Sequence, residues 1–260
     1  MGYVLLRKKN KVLTITLNDP NRNNPLSVPM CKELVDTLRK AEKDSSIRAV
    51  IITGAGNSFS AGADIKEFKG KLNQSAVDVY EEGKEGTGEL FKLGLNYTKP
   101  IIGAVNGYAL GGGFGLVCLC HMAIASDRAK FGLTEINIGL FPLVVLPHVR
   151  RVLGERKALE LSLTANIFGP EEAKNIGLVN SICSHDEVLM EANKIAQSIT
   201  EKSPVAVKMG LTAYNETRLM ESVRAIDYLN TLRVVNFKSK DLNEGASAFL
   251  EKRKPNWMGE

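Results

Sequence analysis

The spacing of apolar residues divides the chain into two textures. Tyr3–Leu6 and Val12–Leu17 are apolar and β-branched runs joined by the polar segment Arg7–Lys11, which predicts two strands and a turn. Over Ser27–Lys43, the residues Val28, Cys31, Leu34, Val35 and Leu38 recur at helical spacing, and Ser27 stands where an N-cap belongs. Ala49–Thr53 and Pro100–Val105 are short apolar runs of the kind that form strands buried on both faces. Ala76–Lys92 reads as a helix interrupted by glycines, Phe114–Ala125 as one buried helix, and Ala129–Gly132 as a short strand. From about Pro170 helices dominate. Pro170–Asn175 carries Glu171 and Glu172 in its first turn, where the helix dipole favours anions. Glu187–Glu201, Pro204–Tyr228 and Leu242–Lys252 follow, the last stopping ahead of Pro255. Strand, glycine loop and helix recur without close sequence repeats, which predicts an α/β fold of stacked β-β-α turns with a helical tail. No low-complexity segment marks an independently folding second domain.

Composition removes whole classes of protein. With 44% hydrophobic and 24% charged residues in 260, the chain is neither disordered, collagenous nor a disulfide miniprotein. A compact monomer of this mass exposes ~11,000 Å² and buries about 73% of its extended surface, so a substantial core is available. No apolar run is long enough to span a membrane. The net charge of +5 is spread along the chain; it suits a phosphate-bearing partner but lacks the clustering of a nucleic-acid surface. MGYVLLRKKN lacks the layout of a signal peptide, and Leu6 stands where myristoylation needs Ser or Thr. Cys31, Cys118, Cys120 and Cys183 form no disulfide framework, which predicts reduced thiols in a cytoplasmic-type compartment. Cys118, Cys120 and His121 sit in an apolar run with no second ligand pair at zinc spacing, so they read as core residues and no metal is expected.

Two glycine loops and one carboxylate carry candidate chemistry. Gly54–Asp64 (GAGNSFSAGAD) follows an apolar strand; its third glycine is misplaced for a dinucleotide fingerprint, so a Rossmann-type oxidoreductase is the weaker reading. The alternative is a loop whose small residues, Ser60 to Ala63, let a ligand approach the backbone. Ser60 lacks the GxSxG elbow of a nucleophile. Asn106–Gly115 (NGYALGGGFG) leads into a predicted helix, where free N–H groups would suit an oxygen that becomes negative; a tight structural turn explains the same pattern. Glu135 is the only charge across Phe131–Leu146. A carboxylate among apolar residues has a raised pKa and suits acid–base work, unless Arg150 or Arg151 pairs with it.

These residues resemble the crotonase (enoyl-CoA hydratase/isomerase) superfamily over almost the whole chain. ITLNDPNRNNPLS from Ile15, FSAGADIKEF from Phe59 and KPIIGAVNGYALGGG from Lys99 are similar to its motifs. So are FGLTEINIGL from Phe131, GPEEAKNIGLVN from Gly169 and EGASAFLEKRKP from Glu244, in the same order. The resemblance implies a spiral of β-β-α turns (residues 1–195) and a C-terminal helical region (196–260) that builds trimers or dimers of trimers rather than folding alone. It implies an acyl-CoA thioester as substrate, with no cofactor beyond the coenzyme A carried in that thioester. Glu135 would be the acid–base residue, and the backbone N–H groups of Ala63 and Gly112 the oxyanion hole. Pro25, Leu26, Ala61, Asp64, Ile65 and Lys66 would line the coenzyme A path. Phe249 and Lys252 would reach coenzyme A from their own or from a neighbouring subunit.

The chain departs from the hydratase pattern twice. Hydratases of the family carry two glutamates; Glu135 matches one, and Gly115 stands where the other would be. Pro142 is followed by Leu143, Val144, Val145 and Leu146 instead of a glycine-rich stretch, which reads as an apolar wall suited to an acyl chain. A single carboxylate favours double-bond isomerisation, with hydration, as in fatty-acid β-oxidation, as the alternative and His148 or Tyr108 as substitute groups. An RNA-binding role would need a cationic face, and the string Lys66, Lys69, Lys71 is broken by Glu67.

Overall fold

The computed structural model describes residues 2–260. Its strands are β1 (Val4–Lys9), β2 (Val12–Leu17), β3 (Ala49–Gly54), β4 (Ser58–Ser60), β5 (Ile101–Val105), β6 (Tyr108–Leu110), β7 (Met122–Ser126), β8 (Lys130–Gly132) and β9 (Ser181–Cys183). The larger sheet runs β1-β2-β3-β5-β7-β9, antiparallel between β1 and β2 and parallel thereafter. The smaller sheet, β4-β6-β8, is parallel. The helices are α1 (Val28–Lys43), α2 (Ile65–Lys71), α3 (Ala76–Gly83), α4 (Glu89–Asn96), α5 (Gly112–Leu119) and α6 (Leu146–Thr164). They continue with α7 (Pro170–Asn175), α8 (Val188–Thr200), α9 (Pro204–Glu216), α10 (Ser222–Phe237) and α11 (Lys240–Leu250). The turns β3-β4, β5-β6 and β7-β8 each place one strand in the large sheet, one in the small sheet and then helix.

The inner strands β2, β3, β5 and β7 are buried, with β3 covered on both faces, which is why they read as largely apolar runs. Along β3, Val50 and Ile52 enter the main core with Phe59, Phe114 and Phe131, and Ala49 and Ile51 face the other way. There they meet Ile102, Ala104 and Ile124 together with Val188, Ala192 and Ala196 of α8. Helix α1 buries the stripe expected of it, including Cys31, Leu34, Val35 and Leu38, and Ser27 accepts the Met30 N–H as its cap.

Several boundaries differ from expectation for physical reasons. The run Phe114–Ala125 is not one helix: α5 ends at Leu119 and β7 begins at Met122. A wholly apolar run has no periodicity to separate helix from strand, and the pairing of β7 with β5 and β9 decides it. Ala76–Lys92 breaks at Gly86, whose backbone leaves the helical region (φ −90°, ψ −111°), so α3 and α4 are separate. Pro204–Tyr228 breaks between α9 and α10 through a 3-10 turn at Thr217–Leu219. Gly54–Asp64 feeds β4 rather than a helix, so no dinucleotide cradle is built. An ideal Cβ on Gly54 would lie 2.0 Å from the Ser58 carbonyl oxygen, so this glycine serves chain packing. Among the described residues no helix is long and apolar enough to cross a membrane.

One buried asparagine ties the early turn to the second sheet. Asn24 adopts φ +52°, a conformation that asparagine tolerates better than most residues. Its Oδ1 accepts the Asp19 N–H (2.8 Å), and its Nδ2 donates to the carbonyls of Ala55 (2.9 Å) and Ser58 (2.8 Å). Its own carbonyl accepts the Ser60 hydroxyl (2.8 Å). Replacing Asn24 by Ala removes three side-chain hydrogen bonds from a buried site, and the expected loss is about 2–4 kcal/mol, read from urea midpoints at unchanged slope.

Candidate active site

Two loops meet where β4 and β6 end. Gly62 adopts φ +86°, and a Cβ there would lie 2.6 Å from the Leu110 carbonyl oxygen and 2.8 Å from the Gly112 nitrogen. A Cβ on Gly113 would lie 2.2 Å from the Ser60 carbonyl oxygen. Neither position admits a side chain, so glycine is what lets the backbones touch. The first loop is held by Ala61 N–H donating to Asn23 (2.8 Å), Leu26 N–H to Gly62 (2.7 Å), and Gly62 N–H to Ser60 Oγ (3.2 Å). Ser60 is therefore a buried brace rather than an exposed hydroxyl. The second loop is anchored by Gly111 N–H donating to Gly132 (2.8 Å).

Amid these bonds two donors stay free. Among the described residues, the N–H groups of Ala63 and Gly112 have no acceptor. A Cβ on Gly112 would lie 3.6 Å from the Ala63 nitrogen, so the two donors are neighbours. Gly112 is also the first residue of α5, where helix N–H groups lack intrahelical partners. An oxygen gaining negative charge would find two fixed hydrogen-bond donors here.

Glu135 sits beside them on the 3-10 turn Glu135–Ile138, which follows β8 and ends at Gly139 with φ +78°. Its Oε1 lies 3.1 Å from the Cβ position of Gly111, and its Oε2 is buried without a partner. Burial pushes its carboxyl above the ordinary range, and a contact with its own backbone N–H offsets part of that rise. Neither arginine neutralises it: Arg150 pairs with Glu155, and Arg151 donates to the Cys118 (2.8 Å) and Leu119 (3.4 Å) carbonyls at the end of α5.

The cavity in front of these groups has a volume of about 200 Å³. It brings together Leu26, Ala63, Asp64, Gly112, Glu135, Pro142 and Leu143, as the sequence led us to expect. Asp64 caps α2 by accepting the Lys66 N–H (3.0 Å) and is ion-paired to Arg22. Pro25 and Ala61 stand outside the cavity lining, and Ile65 and Lys66 are exposed on the outer face of α2. Phe249 and Lys252 are exposed at the end of α11, away from the cavity of their own chain.

The expectation for Gly115 needs correction. It lies behind the cavity wall: a Cβ there would stand 2.3 Å from Val145 Cγ1 and 3.2 Å from Phe91 Cζ. His148 is likewise no second acid. It is buried with its Nε2 2.8 Å from the Phe91 carbonyl, and burial holds its pKa down at about 4. Tyr108 is half exposed on β6 and does not line the cavity.

Sequence reasoning missed other wall residues: Phe68, Lys71, Glu82, Thr87 and Phe91. They come from α2, α3, α4 and the kinked segment Lys84–Gly88, and only tertiary packing sets them around one space.

Known proteins share this architecture. A family model described as Enoyl-CoA hydratase/isomerase matches residues 7–260. The chain is 36% identical to a crotonyl-CoA hydratase of Syntrophomonas wolfei over 99% of both sequences. It is 37% identical to a probable enoyl-CoA hydratase of Bacillus subtilis over all of both. A solved enoyl-CoA hydratase from Mycobacterium smegmatis superposes with a TM-score of 0.92 at 29% identity, covering 99% of each chain. With the fold, the paired glycine loops and the end-to-end match in agreement, this chain belongs to the enoyl-CoA hydratase/isomerase family of the crotonase superfamily and is an enzyme of that family.

Proposed function

We propose that the chain moves the double bond of an enoyl-CoA thioester, with Glu135 carrying the proton. The Ala63 and Gly112 N–H groups would hold the thioester oxygen. Glu135 takes a proton from C2 of a 3-enoyl thioester, and the electron pair moves into the carbonyl as a dienolate. The same carboxyl returns the proton at C4, giving the conjugated 2-enoyl product. The free N–H pair would stabilise the dienolate beside the apolar walls of Leu26, Phe91 and Val145, where such donors act more strongly than in water.

The observation that carries this reading over hydration is the covered Gly115. Hydration divides its work between two groups, one for water and one for the neighbouring carbon. Val145 and Phe91 occupy the space a second carboxylate would need. The other carboxylates at the cavity have structural partners: Asp64 holds Arg22, Glu67 accepts the Val28 N–H (3.1 Å), and Glu82 accepts Gln74 Nε2 (2.9 Å). Hydration is the second reading, favoured by the names of the relatives.

Coenzyme A would enter over Pro25, Leu26, Ala61 and the exposed Ile65 and Lys66, with Phe249 and Lys252 contributed by a neighbouring copy. Self-association is supported by surface: the single chain exposes 13938 Å², against ~11,000 Å² for a compact chain of its mass. Helix α10 leaves Val223, Ile226, Val234 and Phe237 uncovered, and α11 leaves Phe249 and Leu250. A trimer, or a dimer of trimers, would cover them.

Ultraviolet assays separate the two readings. Rising absorbance with a 3-enoyl-CoA and none of the fall that hydration of crotonyl-CoA produces is the expected pair of results. The reverse pair would establish hydration. Glu135→Gln should lower turnover about 10²–10⁴-fold while still binding acyl-CoA; wild-type activity in that variant would sink the single-base mechanism.

The raised pKa sets the pH dependence. Glu135 must be ionised to act as base, so kcat/KM should climb with pH through a value above the ordinary 4.5 of a glutamate. The folded state holds this proton more tightly than the unfolded chain, so ionisation costs stability as pH rises through the shifted value. Glu135→Gln should therefore gain in Tm relative to wild type between pH 4 and pH 8.

At Gly115 the expected result is steric. Gly115→Ala should lose about 1–3 kcal/mol of stability, and combining it with Val145→Ala should recover part of that loss in thermal melts.

A further inference from the structure

The wall of the cavity facing Leu140–Val145 is not apolar throughout. Helix α2 and the segment after it contribute Glu67, Lys71, Glu82 and Thr87. Glu67 and Lys71 are four residues apart and lie on one face of α2. Glu67 is committed: both its oxygens lie within reach of the Val28 N–H (3.1 and 3.3 Å) at the start of α1. Glu82 is committed on one oxygen to Gln74 Nε2 at 2.9 Å.

Lys71 is the group left over. Its side chain is 19% exposed, and its single ion pair among the described residues is a long one, 3.7 Å to Glu82 Oε2. It makes no side-chain hydrogen bond among the described residues, so its ammonium borders the cavity with one loose ionic contact and donors to spare. A ligand that fills the cavity displaces part of the water around this ammonium and must offer an acceptor in its place. Lys69, two residues earlier, shows the alternative: it is exposed and needs none.

Position along α2 relates Lys71 to the reacting atoms. Ala63 lies just before the helix and Lys71 ends it, with Phe68 between them on the cavity wall. The span is on the order of 12 Å at helical rise, and the flexible four-carbon stem of lysine shortens it. An acyl chain whose thioester oxygen sits at Ala63 and Gly112 can run past Phe68 and bring its far end to Lys71.

Resting on the acyl-thioester reading above, we propose that Lys71 is a specificity residue for acyl chains that carry an oxygen function, hydroxyl or carboxylate, at the end remote from the thioester. Such an oxygen accepts from Lys71, and Thr87 offers a hydroxyl at the same wall. A purely hydrocarbon tail leaves the ammonium only its long contact with Glu82 and displaces water that serves it.

Binding tests this without turnover. Hexanoyl-CoA, 6-hydroxyhexanoyl-CoA and adipoyl-CoA lack the double bond and are titrated calorimetrically into the full-length wild type, Lys71→Met and Lys71→Arg, with acetyl-CoA as reference. Wild type should bind at least one oxygenated thioester about 10- to 100-fold more tightly than hexanoyl-CoA, the range for a hydrogen bond to a charged group. Preference for adipoyl-CoA identifies a charge pair, and preference for the hydroxy compound a neutral acceptor. Lys71→Met should erase the ratio and improve hexanoyl-CoA, and Lys71→Arg should keep the preference. The proposal is overturned if wild type favours hexanoyl-CoA, or if Lys71→Met leaves the ratio unchanged. It is also overturned if that variant weakens all four ligands equally, because Lys71 would then serve the coenzyme A portion. Failure of every thioester to bind would instead overturn the acyl-CoA reading on which it rests.

Discussion

Two stretches of bare backbone touch at the centre of this molecule, and the site is organised by that contact. Gly62 approaches the Leu110 carbonyl and the Gly112 nitrogen so closely that a Cβ would overlap both. The approach comes from the spiral: β4 and β6 are parallel neighbours in the small sheet, so the loops leaving them run side by side. Their N–H groups would normally pair with each other's carbonyls or with side chains. Here Ser60, Asn23 and Gly132 take up the surrounding donors, and Ala63 and Gly112 are left pointing into the cavity. A side chain at Gly62 or Gly113 would separate the loops and dissolve the arrangement. The hydrogen-bond donors are thus fixed by chain packing before any ligand arrives, which is the condition under which such donors lower a barrier.

Glu135 is the counterpart cost. A carboxylate with one oxygen buried and unpartnered destabilises the fold, and nothing in the core requires it. Arg151, close enough in sequence to relieve it, instead closes the end of α5 through the Cys118 and Leu119 carbonyls. The chain therefore tolerates an unpaired acid beside unpaired donors. Each is unfavourable alone; together they match a substrate that offers a proton and an oxygen on adjacent atoms.

Much of this was legible from sequence where local chemistry decides. The glycine loops, the isolated Glu135 and the cap at Ser27 depend on residue types at short spacing, and each appears where expected. The order of motifs carried the family and with it the spiral. What sequence could not show was depth. Met122–Ser126 and Gly112–Leu119 form one apolar run, and only the neighbouring strands separate helix from strand. Gly115 looked like an empty seat in the pocket, but it lies against Val145 and Phe91, thirty and twenty-four residues away. Lys71 looked like one member of a surface string with Lys66 and Lys69, yet it turns inward.

The Gly115 contact also gives meaning to the apolar segment Leu143–Leu146. Val145 closes over a glycine that has no side chain, so the small residue and the large one form a single packed unit. A side chain added at position 115 alone finds no room, because Val145 fills the space. Shrinking Val145 alone would leave a void beside Gly115 and Phe91. The two positions are therefore coupled, and seating a second carboxylate at position 115 would require a change at both. That coupling makes the room in front of Glu135 a property of packing behind the cavity wall as much as of the side chains that face it.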